Sequence, residues 1–211
     1  REEGAFINKR TQAARKAGNI IRPVAACAKD FADILRIITV APEVEGVRAF
    51  IDEITGDTNI VISMGHTDAT YEQATEAIWH GLGHATHTFN AMTGLNHRAP
   101  GVVGAALTSP ITTELIADTF HVHPALFTLM IRCKGDKLVL VTDCTRAGGL
   151  ADGVYDLGGQ EIFVNGIECR LADGTIAGSL LQLNNAVANL VANTALNLWD
   201  AANAASLHPA N

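Results

Sequence analysis

Apolar and polar positions alternate in two different ways along the chain. Short runs rich in β-branched residues predict strands, and stretches with apolar residues every three or four positions predict helices. The strands are predicted at residues 34–43, 59–66, 84–92, 112–123 and 136–144. Because the predicted strands alternate with loops and helices, the pattern indicates parallel strands joined by right-handed crossovers.

The starts of the predicted helices carry local signals. Thr67 or Asp68 can cap a helix over residues 69–82, whose apolar positions recur on one face. Pro124 opens another helix, since proline is favoured at a helix start. A loop rich in Gly, Asn, His and Pro follows the strand predicted at 84–92.

The pattern changes in the last third of the chain. Residues 153–179 carry Gly-Gly, Asn-Gly and Asp-Gly pairs between alternating runs, which is typical of β-hairpins. Helical periodicity returns at residues 183–196 and 199–207. We therefore predict one domain with a small β-hairpin excursion near its C-terminus.

The composition permits a well-packed globular domain. The 211 residues are 48% hydrophobic and only 18% charged, enough to bury a sizeable core. The formal net charge of −7 argues against a nucleic-acid partner or an anionic membrane surface, because both favour clustered Lys and Arg. No apolar run reaches the roughly 18 residues of a membrane span, so no membrane partner is expected.

The cysteines and the chain start bear on location and completeness. Cys27, Cys133, Cys144 and Cys169 form no CxxC pair and no regular spacing, so neither a disulfide framework nor a zinc knuckle is predicted. A reducing, cytoplasmic location is the simpler interpretation. The chain starts without an initiator Met, and we expect it to be a fragment of a longer protein.

Polar residues recur at the carboxyl ends of the predicted strands. In parallel α/β folds these ends face one side and carry the chemistry. The residues are Glu43, His66, His87, His121 and Asp143, preceded by Glu3 in the opening segment. Imidazoles with a carboxylate suggest a divalent metal site with an open position, where a bound water can lose its proton near neutral pH. Alternatively, Gly65 and His66 form only a turn before the next helix.

Six motifs follow one another across nearly the whole chain. They are GHTDATYEQA, ATHTFNAM, RAPGVVGAAL, IADTFHVHP, LVTDC and DGTIAGS, at residues 65–74, 85–92, 98–107, 116–124, 140–144 and 173–179. In this order they resemble the motifs of the N-acetylglucosamine-6-phosphate deacetylases, which belong to the amidohydrolase superfamily. The resemblance implies metal-dependent hydrolysis of N-acetyl-D-glucosamine 6-phosphate to D-glucosamine 6-phosphate and acetate.

The resemblance also implies a fold. The chain would form an α/β structure, a partial (β/α)8 barrel of the metal-dependent amidohydrolase type. It would begin at the end of the third barrel strand and lack the first barrel strands and the β-sandwich domain. Residues 1–211 would then be a single catalytic barrel domain.

By the same resemblance, Glu3, His66 and His87 would bind one divalent metal cation. Two imidazoles and one carboxylate suit Zn, Fe, Co or Mn, so the donor set does not choose the ion. Asp143 would act as the general base and then as the general acid. The alternative is that Asp143 is a structural carboxylate.

A small phosphorylated amino sugar is the implied substrate. The residues implied to bind it are Asn90, Ala91, Arg98, His121, Leu181, Gln182 and Leu183. Arg98 would hold the phosphate with Asn90 and the backbone of Ala91, because a guanidinium matches phosphate oxygens. His121 would contact the substrate, and the last three residues would line the sugar pocket. Since this arginine can act across a subunit boundary in family members, a homodimer is expected; alternatively, Arg98 is a solvated loop charge.

The chain departs from the resemblance in places. It has REEGA at residues 1–5 where family members have His-Leu-Glu-Gly-Pro, and Gln12 or Arg15 would have to polarise the acetyl carbonyl. Two alternatives stay open, namely another metal-dependent amidohydrolase (a deaminase or cyclic amidase) and a catalytically silent fragment. Arg98 and Asn90 favour a phosphorylated substrate over the first alternative.

Overall fold

The first part of the chain folds around a parallel sheet. The computed structural model describes residues 2–11, 18 and 20–210. The chain divides into two compact units, Arg1–Thr113 and Glu114–Asn211. In the order in which they pair, the parallel strands of the first unit are β1 (Glu2–Phe6), β2 (Ile37–Val40), β3 (Val61–Met64), β4 (His84–Ala85) and β5 (Thr112–Leu115), which continues into the second unit. Its helices are α1 (Ala25–Lys29), α2 (Val47–Asp57), α3 (Tyr71–Trp79) and α4 (Gly101–Thr108), with a 3₁₀ turn at Lys9–Thr11.

Strands β2 and β3 form the centre of this unit. They pair with Ile38 opposite Ile62 and Val40 opposite Met64, and these four residues are at most 1% exposed. One face of α2 packs against the same core. The opposite face of the two strands is buried as well, and it carries the uncharged residues Thr39 and Ser63. This burial explains why the two strands are recognisable as nearly continuous apolar runs.

Helix α3 begins later than the sequence predicted. Its N-cap is Thr70, whose hydroxyl accepts a hydrogen bond from the Gln73 N–H while the Gln73 side chain accepts one from the Thr70 N–H. This reciprocal pair satisfies two N–H groups at the helix start. The predicted caps Thr67 and Asp68 are wrong, because the helix begins only after Thr70, and the Thr67 hydroxyl donates to the carboxylate of Glu43.

Strand β4 is much shorter than the strand predicted at 84–92. It ends at Ala85, and His87, Phe89 and Ala91 then adopt positive φ angles of 29°, 81° and 50°. Left-handed backbone cannot continue a strand. The residues that follow β4 therefore form a tight, irregular turn.

Helix α4 was not predicted. It follows the loop after β4, and every residue except Thr108 is buried. A helix that is buried all round has no polar face, so its sequence lacks the period that reveals amphipathic helices.

The second unit carries the predicted hairpins. Its strands are β6 (Leu138–Leu140), β7 (Gly153–Asp156), β8 (Glu161–Asn165) and β9 (Glu168–Leu171), and its helices are α5 (Ala125–Lys134), α6 (Leu183–Asn193), α7 (Leu198–Asn203) and α8 (Leu207–Ala210). Strands β7, β8 and β9 pair antiparallel in sequence order. Gly158, Gly159 and Gly166 lie in the two connecting turns with positive φ, a conformation that such turns need. The β-hairpin excursion at 153–179 is confirmed.

The predicted fold class is confirmed as well. Parallel strands alternate with helices and an antiparallel hairpin sheet follows, as in part of a (β/α)8 barrel. Among the described residues, none of the helices combines the length and the apolar character needed to span a bilayer.

Candidate metal centre

Glu3, His66 and His87 converge on one point in the first unit. The Glu3 Oε1 atom lies 3.1 Å from the Nε2 atom of each histidine, and the two Nε2 atoms are 3.0 Å apart. The side chains of Glu3, His66 and His87 are 10%, 4% and 3% exposed. Three potential metal ligands therefore share a nearly buried site.

The strands of the parallel sheet bring these side chains together. Glu3 lies on β1, and His66 and His87 follow β3 and β4. Both histidines have positive φ, 49° and 29°, in a region that non-glycine residues seldom occupy. Such backbone persists where the surrounding structure imposes it, which is common at functional sites. The two rings meet edge to face, with centroids 4.7 Å apart.

The orientation of the His66 ring is fixed from its far side. Its Nδ1 atom lies 2.6 Å from the carbonyl oxygen of Thr11. A carbonyl oxygen can only accept, so Nδ1 carries the proton and the lone pair of Nε2 faces Glu3 in the neutral ring. A lone pair and a carboxylate oxygen at this distance need a proton or a cation between them.

The donor set fits a divalent metal ion. Two imidazole nitrogens and one carboxylate oxygen are ligands that Zn, Fe, Co and Mn all accept, and three protein ligands leave room for a further group. The hydrogen bond from His66 to a backbone carbonyl is the support that metal-binding histidines usually have. The cluster can therefore hold one cation, whose identity the donors do not decide.

Buried hydroxyl groups crowd the backbone next to His66. The Thr86 hydroxyl lies 3.0 Å from that of Thr39 and 2.5 Å from that of Ser63. A Cβ atom built on Gly65 would stand 2.8 Å from Thr86 Cβ and 3.0 Å from Thr39 Cγ2. Glycine is therefore required at position 65, because the side chains of Thr39 and Thr86 leave no space for a Cβ atom.

We expect Gly65→Ala to lower the free energy of unfolding by about 1–3 kcal/mol, because the added methyl group overpacks the site. The matched control is Gly56→Ala in α2, where a Cβ atom meets nothing within 4 Å. Alanine there should raise the free energy of unfolding by about 0.5 kcal/mol. Denaturant unfolding of the metal-free proteins measures both, and equal stabilities would contradict the crowding at Gly65.

The structure places Asn90 and Ala91 beside the cluster and Arg98 in an exposed loop. Both the backbone N–H and the side-chain amide of Asn90 donate to the carbonyl of His87, at 3.0 and 3.2 Å. The Ala91 carbonyl accepts from the Thr67 N–H at 3.0 Å. The Arg98 guanidinium lies 2.7 Å from the ring of its neighbouring residue, His97.

The other predicted site residues belong to the second unit. Asp143 follows β6 with a φ of 48°, and its carbonyl accepts from the Ser179 N–H at 2.9 Å. The Ser179 hydroxyl donates to the Thr142 carbonyl and accepts from the Leu181 N–H. Ser179 therefore links the backbone at Asp143 to the segment formed by Leu181, Gln182 and Leu183. In that segment Leu181 is buried and the other two residues are exposed at the start of α6.

His121 has a partner that the sequence interpretation missed. Its Nδ1 atom lies 2.5 Å from Asp118 Oδ2, and Asp118 Oδ1 accepts from the backbone N–H groups of Phe120 and His121. Burial alone would raise the pKa of Asp118, but the hydrogen bonds and charge of His121 and the two N–H groups outweigh it, so this pKa lies below its usual value. An ionised Asp118 keeps the proton on Nδ1 and leaves Nε2 of His121 for another contact. In the sequence, the only signal for this pair was the three-residue spacing between Asp118 and His121 in IADTFH.

Two earlier candidates have no structural description. Gln12 and Arg15, the alternatives for polarising an acetyl carbonyl, lie outside the described residues.

Comparison with known proteins finds amino-sugar deacetylases. No protein-family model matches the chain. The chain is 43% identical over 175 residues to the N-acetylglucosamine-6-phosphate deacetylase of Bacillus subtilis (82% of this chain, 44% of that protein). It is 42% identical over 177 residues to the N-acetylgalactosamine-6-phosphate deacetylase of Escherichia coli O157:H7 (83% and 47%). With a putative N-acetylgalactosamine-6-phosphate deacetylase of E. coli K12 it shares 47% over 125 residues (59% and 75%).

Solved structures give the same result. A crystal structure of N-acetylglucosamine-6-phosphate deacetylase from Pasteurella multocida superposes with a TM-score of 0.91 at 30% identity, covering 98% of this chain and 55% of that one. A mutant of the Mycobacterium smegmatis enzyme in complex with N-acetyl-D-glucosamine-6-phosphate gives a TM-score of 0.87 at 33% identity, covering 94% and 54%. The chain spans about half the length of the first curated relatives it matches.

Proposed function

Because the chain belongs to the family that contains the N-acetylglucosamine- and N-acetylgalactosamine-6-phosphate deacetylases, we propose that the full-length protein hydrolyses N-acetyl-D-glucosamine 6-phosphate to D-glucosamine 6-phosphate and acetate. The buried convergence of Glu3, His66 and His87 carries this proposal, because it provides the donors that such a hydrolase needs. The names of the relatives disfavour a deaminase, a cyclic amidase or a silent fragment.

Glu3, His66 and His87 would hold one divalent cation. When bound, the cation polarises the acetamide carbonyl and makes the attacking water more acidic. The contribution of the chain is to fix the donors, through the Thr11 carbonyl at His66 and the burial of all three side chains. Fixed donors keep their geometry while charge develops on the substrate.

Asp143 would move the proton. Its carboxylate takes a proton from the attacking water as the new C–O bond forms, and returns it to the amide nitrogen as the C–N bond breaks. Without this second transfer the nitrogen would have to leave as a strongly basic amide anion, so the transfer is needed. The position of Asp143 after β6 and its positive φ support the assignment.

Substrate recognition would depend on the residues that the resemblance implied. Arg98, with Asn90 and the backbone of Ala91, would bind the phosphate, and His121, oriented by Asp118, would bind the sugar. Leu181, Gln182 and Leu183 would line the sugar pocket. The solved relative that holds N-acetyl-D-glucosamine-6-phosphate supports a phosphorylated amino sugar as the ligand class.

The test is acetate release by the full-length protein. We expect release from N-acetylglucosamine 6-phosphate, and we expect Arg98→Ala to lower kcat/KM for it about 10- to 100-fold, the value of one charge-assisted contact. For N-acetylglucosamine without phosphate, the two proteins should have equal kcat/KM. The control is Arg132→Ala, another exposed arginine, which should change neither. Tight metal binding without any acetate release would favour a different amidohydrolase.

Three further properties are part of the proposal. Residues 1–211 would act as one catalytic domain of a longer protein, which would form a homodimer. A cytoplasmic location is supported by four cysteines that are all free thiols in the structure.

A further inference from the structure

Glu43 joins segments that are distant in the sequence. It lies shortly after β2, and its carboxylate accepts three hydrogen bonds. Oε1 accepts from Asn8 Nδ2 at 2.8 Å and from the Asp68 N–H at 2.7 Å, and Oε2 accepts from the Thr67 hydroxyl at 2.5 Å. Glu43 is not one of the three converging ligands.

The contacts of Glu43 lead directly to two of those ligands. The Asn8 N–H donates to the carbonyl of His66 at 3.0 Å. In the sequence, Asn8 lies between Glu3 and Thr11, and the Thr11 carbonyl accepts from the His66 ring. Thr67 is the chain neighbour of His66. One carboxylate therefore fixes the segment after β1 and the segment after β3 to each other.

The connection continues to the turn after β4. The Thr67 N–H donates to the Ala91 carbonyl at 3.0 Å, and Thr67 also forms an isolated parallel β-bridge with Met92. This turn carries His87, whose carbonyl accepts from Asn90. Thr67 is completely buried, so its hydrogen bonds face no competition from water.

We propose that Glu43 is a positioning residue for the metal centre. It does not bind the metal; it holds the segments around Asn8 and Thr67 in the arrangement in which Glu3 and His66 meet His87. Only a group with two acceptor oxygens can receive all three donors at once, because an amide side chain replaces one acceptor by a donor. The inference rests on the metal binding in the proposed function, and it is independent of the substrate.

The test uses Co²⁺ alone as the probe, with the full-length protein. Its visible absorption reports coordination, and chelator competition gives the affinity. We expect Glu43→Ala to weaken Co²⁺ binding about 10- to 100-fold, the range found when groups that orient metal ligands are removed. Glu43→Gln should lose less, since its Oε1 can still accept from Asn8 and Asp68. The control is Glu45→Ala, which removes an exposed glutamate that contacts Arg22. The Co²⁺ affinity of this variant should equal that of the unsubstituted protein.

Denaturant unfolding of the metal-free variants separates positioning from a general loss of structure. A purely structural role would lower stability but leave the Co²⁺ affinity and spectrum of the folded variant unchanged, which would overturn the proposal. If Glu43→Ala does not fold, the test uses Glu43→Gln and Thr67→Val instead. An unchanged Co²⁺ affinity in both of these variants would also overturn the proposal. Weakened Co²⁺ binding in a protein that releases no acetate would uphold the role of Glu43 while refuting the proposed function.

Discussion

Replacing Asp143 with asparagine should lower kcat for acetate release by about 10²- to 10⁴-fold, the usual contribution of general acid–base catalysis. Asparagine has nearly the same shape, but its amide cannot take up and return a proton at neutral pH. It also tolerates the positive φ of this position as well as aspartate does. Steady-state acetate release measures the effect, and Co²⁺ titration should give an unchanged affinity.

The control for this prediction is Asp136→Asn. Asp136 is an exposed carboxylate in the 3₁₀ turn before β6, so its loss changes the net charge by the same amount without touching the site. We expect full activity for this variant. Equal rates for Asp143→Asn and the unsubstituted protein would assign the proton transfer to another group.

The central strands could be predicted because most of their buried positions carry apolar residues, which form short runs in the sequence. Ile38, Val40, Ile62 and Met64 are buried on one face of β2 and β3, where apolar side chains are favoured. The hairpins were predictable for a different reason, since turns with positive φ select glycine, as at Gly166.

Other elements have no comparable local signal. Helix α4 is buried almost all round, so no polar face marks its period. The end of β4 depends on the positive φ of His87, which surrounding structure imposes on a residue that does not prefer it. The N-cap of α3 is Thr70 and not Thr67, because the Thr67 hydroxyl donates to the Glu43 carboxylate. Tertiary contacts decided each of these cases.

Only part of the candidate site could be predicted from the sequence. His66 and His87 follow neighbouring parallel strands, whose carboxyl ends meet at one edge of the sheet, so their proximity could be predicted. Their binding of a metal stays a prediction. The bonds that orient the site could not be foreseen, because Glu43 reaches back to Asn8 and forward to Thr67 across long stretches of chain.

The last prediction concerns the metal itself. His87→Ala should weaken Co²⁺ or Zn²⁺ binding by more than about 100-fold, because loss of a coordinating group exceeds the effect of losing its support. Metal at about 100 times its Kd stabilises a folded protein by about 2.7 kcal/mol, and at the same metal concentration this gain should fall below about 0.4 kcal/mol in the variant. Denaturant unfolding with and without metal measures it.

The matched control is His80→Ala, which removes a histidine of the same unit whose Nδ1 atom lies 2.6 Å from Asp52 Oδ1 near the surface. Its metal-dependent stabilisation should equal that of the unsubstituted protein. His87 is 3% exposed, so its loss also leaves a cavity and lowers the stability of the metal-free protein. The difference between the measurements with and without metal removes that effect. If His87→Ala gains as much stability from metal as His80→Ala does, the cation binds elsewhere, and Glu3 and His66 meet His87 for a structural reason alone.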